Sequence, residues 1–297
     1  MKRLTVTNIR VVLVAIFLAT CGLGGHTAHA ATGGLTISPT SIDKQIAPGS
    51  SYKGDVLVIN QGEENFSYKL YATPYSVSGE EYKPYFTPIK GAVDITSWIN
   101  FGSKGNTLKG GSQDTIPVTI SVPKGTGAGS YYATLFAETE DKGASGVITR
   151  KRVGTVVYIR VTGDAKEQGG VEGWSVPWLQ NDPFKASLKL TNTGSVHYQS
   201  TVKVTVSDLF GNAKYIYERQ PKVLPQKVRQ VPVEWEKGAK FGLFKVTGDV
   251  TYFGNKEALP TRYVFIASPA YRLITVVVLV AFVSFIVYVG RKRVAKK

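Results

Sequence analysis

Between residues 31 and 268 apolar and polar side chains alternate with a period of two. In "FKASLKLT", Phe184, Ala186, Leu188 and Leu190 alternate with Lys185, Ser187, Lys189 and Thr191. "TVKVTVS" repeats the pattern with Val202, Val204 and Val206. "VPVEWE" sets Val231, Val233 and Trp235 against Glu234 and Glu236, and "FKVTGDVTY" sets Phe244, Val246, Val250 and Tyr252 against Lys245, Thr247, Asp249 and Thr251. Burial on one face only predicts antiparallel sheets with one wet side. Turn residues separate the runs every 8–12 residues or so: "APGS", "NQGEEN", "PKGTGAGS", "NTGS", "LFGN", "FGNKE". Short strands at that spacing predict β-sandwiches. A polar, glycine-rich stretch, "TGDAKEQGGVEG" at 162–173, divides them. The fold class expected is all-β: two immunoglobulin-like β-sandwich domains, 31–163 and 174–268, joined by a linker at 164–173, plus one C-terminal transmembrane helix.

Two segments echo one another across the divide. "DVLVINQGEENFSYKLYATP" (55–74) and "SLKLTNTGSVHYQSTVKVTVSD" (187–208) each run strand, Asn-x-Gly turn, strand. Asn60 and Asn192 suit a turn because Asn bonds its own backbone, and Gly62 and Gly194 are expected to supply positive φ.

The alternation fails at both ends. Residues 1–30 read as a secretory signal: Lys2, Arg3 and Arg10, then the apolar run 11–19, then Ala28–His29–Ala30 with small residues at −3 and −1. A rival reading makes "LATC" at 18–21 a lipoprotein box with Cys21 as the lipidated residue. The run from Leu273 to Val289 is interrupted only by Thr275 and Ser284, and with Gly290 it reaches the lower length limit for a spanning helix. A transmembrane helix is therefore expected over 271–290, flanked by Tyr271 and Tyr288 as interfacial aromatics. The tail at 291–297, with Arg291, Lys292 and Arg293, outweighs the single Arg272 and predicts a cytoplasmic C-terminus with both domains outside the cell membrane.

Those ends account for most of the net charge of +15. They hold nine of the 36 basic residues and no acid, leaving 27 against 21 acidic residues, or +6, elsewhere. That excess is too small and scattered for a nucleic-acid groove. Cys21 is the only cysteine, so cleavage after Ala30 leaves domains that rely on their cores.

Chemistry is sparse in the rest. His197 is the sole histidine beyond the signal and reads as a surface residue beside a turn. The acid groups Glu63–Glu64, Glu80–Glu81 and Glu138/Glu140/Asp141 fall on or near predicted loops, read as solvated and have no calcium-loop spacing. Nucleophile-elbow, phosphate-loop and dinucleotide fingerprints are absent from the sequence. The expectation is a non-enzymatic protein with no cofactor and no metal. Aromatics offer the better lead. "YATPYSVSGEEYKPYFTP" (71–88) carries Tyr71, Tyr75, Tyr82, Tyr85 and Phe86 among three prolines. These rings either pack beneath a long loop or form a ligand-binding surface suited to sugar stacking or a protein hot spot; Tyr75, Tyr82, Tyr85 and Phe86 are the candidate ligand-binding residues. Trp174 and Trp178 are candidates for an interdomain or interaction role.

A signal, two sandwiches, a membrane helix and a short basic tail, together with "LTISPTSIDKQIAPGSSYKGDVLVINQGEENFSYKLYATPYSVSG" (35–79), resemble the WxL-interacting surface proteins of Gram-positive bacteria. The same opening also looks like the first domain of periplasmic pilus chaperones. The first resemblance implies peptidoglycan binding by the first domain and protein partners for the second. The expected partners are thus a cell-wall polymer or another surface protein, and the membrane through the C-terminal helix. A carbohydrate-binding module and a chaperone-like assembly factor are the alternatives.

Overall fold

A computed structural model of the chain describes residues 34–294 except 89, 91–92 and 143–147, with backbone alone at 140–142, 148–149 and 288–294. The signal-peptide reading, with Cys21, lies outside the described residues, as do Lys296 and Lys297 of the tail.

The first half forms β1 (Leu35–Ser38), β2 (Ser41–Ile46), β3 (Ser51–Asn60), β4 (Phe66–Pro74), β5 (Ser76–Ser78), β6 (Lys83–Tyr85), β7 (Ile99–Phe101), β8 (Gly105–Leu108), β9 (Gln113–Ser121), β10 (Gly129–Lys142) and β11 (Ile148–Val161). One sheet runs β1-β3-β9-β7 and the facing sheet β2-β11-β10-β4-β8, while β5 and β6 make a small hairpin. The second half forms β12 (Gly169–Ser175), β13 (Leu179–Gln180), β14 (Phe184–Asn192), β15 (Tyr198–Gln199), β16 (Thr201–Ser207), β17 (Ala213–Arg219), β18 (Lys222–Val223), β19 (Lys227–Trp235), β20 (Phe241–Tyr252) and β21 (Asn255–Ala267). Its sheets run β12-β14-β19 and β13-β21-β20-β16-β17, with β15 and β18 paired beside them. The protein is thus two all-β, immunoglobulin-like sandwiches, and one helix, α1 (Pro269–Val294), follows.

Each sandwich closes on its own apolar cluster. Val56, Val58, Ile116, Ile120, Leu135, Val157 and Ile159 fill the first, and Phe184, Leu188, Leu190, Val204, Val246 and Ile266 the second. Each fully buried side chain of this kind contributes about 1.5–3 kcal/mol, which lets both cores close without a disulfide. In β14 the alternation is nearly ideal, with Phe184, Ala186, Leu188 and Leu190 inward.

Three local expectations change. The divide is shorter than 164–173, because β12 begins at Gly169 and pairs with β14 through Gly169↔Asn192. Polar composition there marks an edge strand, not free linker. The Asn-x-Gly echo is real, but positive φ has no part in it. Asn60 donates to Glu64 O at 2.7 Å and Lys109 O at 3.1 Å while accepting Gly62 N–H at 3.0 Å. Asn192 donates to Val196 O and Val223 O, each at 2.9 Å, and accepts Gly194 N–H at 2.9 Å. Each buried Asn ends a strand and ties the turn to a second segment. Gly194 is needed for space: a Cβ there would lie 2.3 Å from Lys166 O. Finally, Glu138 sits within β10, not on a loop.

The helix begins one residue after β21. Ser268 N–H donates to Lys240 O at 2.8 Å, and Ser268 O accepts Arg272 N–H at 3.0 Å, so the sheet passes directly into the first helical turn. Pro269 suits that first position because its missing N–H would have no intrahelical partner. Residues Pro269–Val287 are long and apolar enough to cross a membrane, with none of the span buried in protein. Of the expected anchor residues, Tyr271 and Leu273 lie in the first turns. Val289 lies within the helix, which runs on through Arg291, Lys292 and Arg293 to Val294, past the expected end at 290.

Candidate functional site

The two sandwiches meet through a built contact with His197 at its centre. A lone histidine beside a turn was expected at the surface; instead it is 6% exposed, because the turn before β15 is pressed against the first domain. Ser130, at the start of β10, lies 2.7 Å from His197 Nδ1, and its Oγ accepts the His197 backbone N–H at 2.9 Å. On the other side His197 Nε2 lies 3.3 Å from Asp43 Oδ1 of β2. Lys222 of β18 donates to the second oxygen of Asp43. The rings of Tyr132 and Tyr158 pack on the imidazole, with centroids 5.7 and 5.4 Å away. Burial alone would raise the Asp43 carboxyl, but hydrogen bonds and charge from His197 and Lys222 outweigh it and hold the pKa at about 2.

Serine, histidine and aspartate in hydrogen-bonded sequence invite comparison with a hydrolytic triad. Here the serine belongs to one domain, the histidine to the other, and the serine oxygen is already engaged by the backbone of the same histidine. The group works as an interdomain clamp. No cluster suited to a metal ion occurs among the described residues.

A second clamp comes from the β5–β6 hairpin. Glu80 O accepts Gln230 N–H at 2.8 Å, and the Glu80 carboxylate pairs with Lys189 at 2.8 Å. Tyr82, at φ 58°, is turned inward, 9% exposed, among Val77, Tyr158 and Leu224. Its hydroxyl accepts Leu224 N–H at 3.0 Å, and Arg229 lies over its ring at 4.5 Å. Burial raises its pKa to about 12. Between the clamps lies a cavity of about 280 Å³ bounded by Tyr75, Ser130, Tyr132, Ser195, Leu224 and Lys227.

The rest of the aromatic segment covers the outer face of the β11-β10-β4 sheet. Phe86 meets Phe136 edge-on at 5.0 Å and Tyr75 meets Tyr158 at 6.1 Å. Tyr71 lies 5.8 Å from Phe136, and Arg152 of β11 sits over Phe136 at 4.2 Å. The Tyr71 hydroxyl donates to Glu138, which with Lys69 at 3.1 Å lowers that carboxyl's pKa against the opposing effect of burial. The four candidate ligand residues therefore occupy different settings: Tyr82 between the domains, Tyr75 and Phe86 half-buried on the sheet, Tyr85 exposed at 46%. Trp174 packs against the second core and donates from Nε1 to Pro260 O at 3.1 Å, while Trp178 is 70% exposed. Asp43, Ser130, His197, Lys222 and Arg152, which carry the contact and the aromatic face, had no signal in local sequence, since each acts through residues far away in the chain.

One open edge completes the site. β2 pairs with β11 only from Ser41↔Val156 to Ile46↔Val161. Over 148–154 the side of β11 opposite β10 has no strand neighbour among the described residues. Val156 N–H faces that side, bonding Thr40 O at 3.1 Å, so the alternation of a strand turns the backbone N–H groups of Gly154 and Arg152 the same way.

No protein-family model matches the chain, and no curated protein matches it in sequence. Among solved structures the fold is similar to the class 5 fimbriae chaperone CfaA, at 11% identity over 78% of this chain and 99% of that one, with a TM-score of 0.39. It is also similar to a chain of the CsuC–CsuE chaperone–tip subunit complex of Acinetobacter baumannii (13% identity, 79% and 98% covered, 0.39) and to the E. coli chaperone DraB (13%, 78% and 96%, 0.39). At these scores the likeness has no weight for function, and the two-sandwich fold stands on its own strand pairing.

Proposed function

We propose that this chain is a membrane-tethered docking protein that holds another extracytoplasmic protein by accepting one of its strands along β11. The single observation behind this reading is that β11, a 14-residue strand paired along its length with β10, has β2 on its other edge only over 156–161 among the described residues. Main-chain hydrogen bonding supplies affinity in such strand addition, and side chains supply selectivity. The segment "ITRKRVG" carries Arg150, Lys151 and Arg152 in succession. Like charge of that density opposes pairing with a second copy and favours an acidic partner strand. α1 crosses the membrane with the sandwiches outside, as the basic C-terminal end favours. The role is non-enzymatic, and it agrees with both the chaperone-like alternative and the protein-partner side of the WxL-interacting resemblance. It differs from that resemblance in placing the protein partner on the first domain.

The test is in-cell photocrosslinking from Lys151, combined with two variants at the neighbouring position. Arg152→Ala keeps the outward backbone N–H and Arg152→Pro removes it. Protein adducts at 151 that survive Arg152→Ala and vanish in Arg152→Pro support the reading. Equal adduct yields in the two variants, or none at 151 in the parent chain, defeat it.

The half-exposed rings of Tyr71 and Phe86, which flank a buried Phe136 capped by Arg152, support a second reading, an envelope glycan stacked on the first domain. Retention of the protein on wall sacculi stripped of protein, lost on Tyr85→Ala, would favour that reading over the first.

A further inference from the structure

The exposed apolar residues of the second domain are not spread over it. Six of them, Trp178, Leu179, Leu209, Phe210, Phe241 and Leu243, belong to the end of the sandwich from which α1 departs. The strand registers show this. Leu179 and Leu243 both pair with Phe265, on either side of β21, and Phe241 pairs with Ala267, two residues from the helix. Ser207, at the end of β16, pairs with Lys245 of β20, so the following turn with Leu209 and Phe210 emerges at the same end. Trp178 O accepts Phe265 N–H at 2.6 Å. The ring of Phe241 lies 5.6 Å from that of Tyr271 in the first turn of α1.

Two of these residues are displayed in an unusual way. Phe210 is 92% exposed and Leu209 61%, yet the turn that bears them is firmly built. Asp208 Oδ1 accepts the N–H groups of Phe210 and Asn212, each at 2.9 Å, and Lys214 pairs with the same carboxylate at 3.1 Å. Such a turn holds two large apolar side chains out from the protein. Contiguous exposed apolar surface marks an interaction site. What faces this one follows from continuity with the helix: Tyr271 stands where the span begins, at the headgroup level, and Phe241 is in ring contact with it. Lys237 and Lys240 precede Phe241 in the chain and suit a surface of anionic lipid phosphates.

We infer that the α1-proximal end of the second domain is a lipid-binding surface, with Leu209 and Phe210 inserted into the headgroup–acyl boundary and Trp178, Leu179, Phe241 and Leu243 resting on it. This inference rests on the reading of α1 as a membrane span and adds a second, peripheral attachment to it.

The experiment uses the full chain with Cys21→Ser, reconstituted in phosphatidylcholine–phosphatidylglycerol vesicles and nitroxide-labelled at one introduced cysteine. Phe210→Cys probes the surface, Tyr85→Cys the first domain, and Ser284→Cys the middle of the helix; positions 210 and 85 are exposed enough to accept the change. Collision rates with oxygen and with a water-soluble nickel chelate give depth. The expected result is an oxygen-to-nickel ratio at 210 several-fold above that at 85, with 284 deeper still. A label at 210 as open to nickel as that at 85, while 284 is deep, overturns the lipid surface and leaves the span intact. A label at 210 shielded from both reagents means coverage by protein and also overturns it. A label at 284 exposed to nickel overturns the span and this inference together.

Discussion

Tyr82 offers the sharpest separation between a ring that binds ligand and a ring that holds two domains together. Tyr82→Phe removes only the hydroxyl that accepts Leu224 N–H. That N–H is buried by the ring and would be left without a partner, which costs about 1–3 kcal/mol. Tyr82→Ala also removes the ring from Val77, Tyr158 and Leu224 and the cation above it. Large-to-small changes of an aromatic in a packed setting cost about 3–5 kcal/mol. The left-handed backbone at φ 58° strains alanine and tyrosine alike, so it cancels between them, whereas glycine escapes it by roughly 1 kcal/mol. Tyr82→Gly should therefore lie above Tyr82→Ala in stability, against the usual order of the two residues. For a chain of this size 1 kcal/mol moves the melting temperature about 2–4 °C. Thermal unfolding of the detergent-solubilised chain should fall by several degrees in Tyr82→Phe and by about 10 °C in Tyr82→Ala. Unchanged melting in Tyr82→Ala, combined with lost retention on wall material, would refute the clamp and restore Tyr82 as a ligand-binding ring.

Asp43 has a folded pKa near 2 against an ordinary 3.8, so its contribution is present above about pH 4 and is lost as pH falls towards 2. With the side chain 39% exposed solvent screening limits it to about 1 kcal/mol; the acid limb of a stability–pH curve should flatten in Asp43→Asn, and identical limbs would refute the assignment. Asn192→Asp would set a carboxylate against Val196 O and Val223 O, and a loss of about 3 kcal/mol or more is expected in denaturant titration; a loss under 1 kcal/mol would show that the turn is not held there. Gly194→Ala should cost about 2 kcal/mol, because the new Cβ meets a backbone oxygen instead of a side chain that can move; a crystal structure with residues 166–168 undisplaced would contradict this.

The sandwiches were legible because one-face burial leaves a period of two, and β14, β16 and β20 fall where that period places them. The contact between them was not legible. His197 and Ser130 are 67 residues apart, and Tyr82 and Leu224 142 apart; pairs at such distances leave no periodic trace. The aromatic segment hid its division of labour for a related reason. It breaks alternation, and only the tertiary fold decides that Tyr82 turns inward at a left-handed residue while Tyr85, three positions later, turns out. Leu209 and Phe210 read as ordinary turn residues because nothing local reveals which end of a sheet the helix leaves from.

The single residue between β21 and α1 has a mechanical consequence. In the proposed function, a load on a partner seated along β11 passes to the second domain through the chain at 162–168 and the interdomain clamps beside it, and then along β21 to the helix. β21 lies between β13 and β20, so the pull runs along its length and stresses its flanking hydrogen bonds together in shear, with no slack segment to extend first. In that proposed function, such a post passes tension from the captured strand to the membrane span without delay and holds the partner at a set height and bearing.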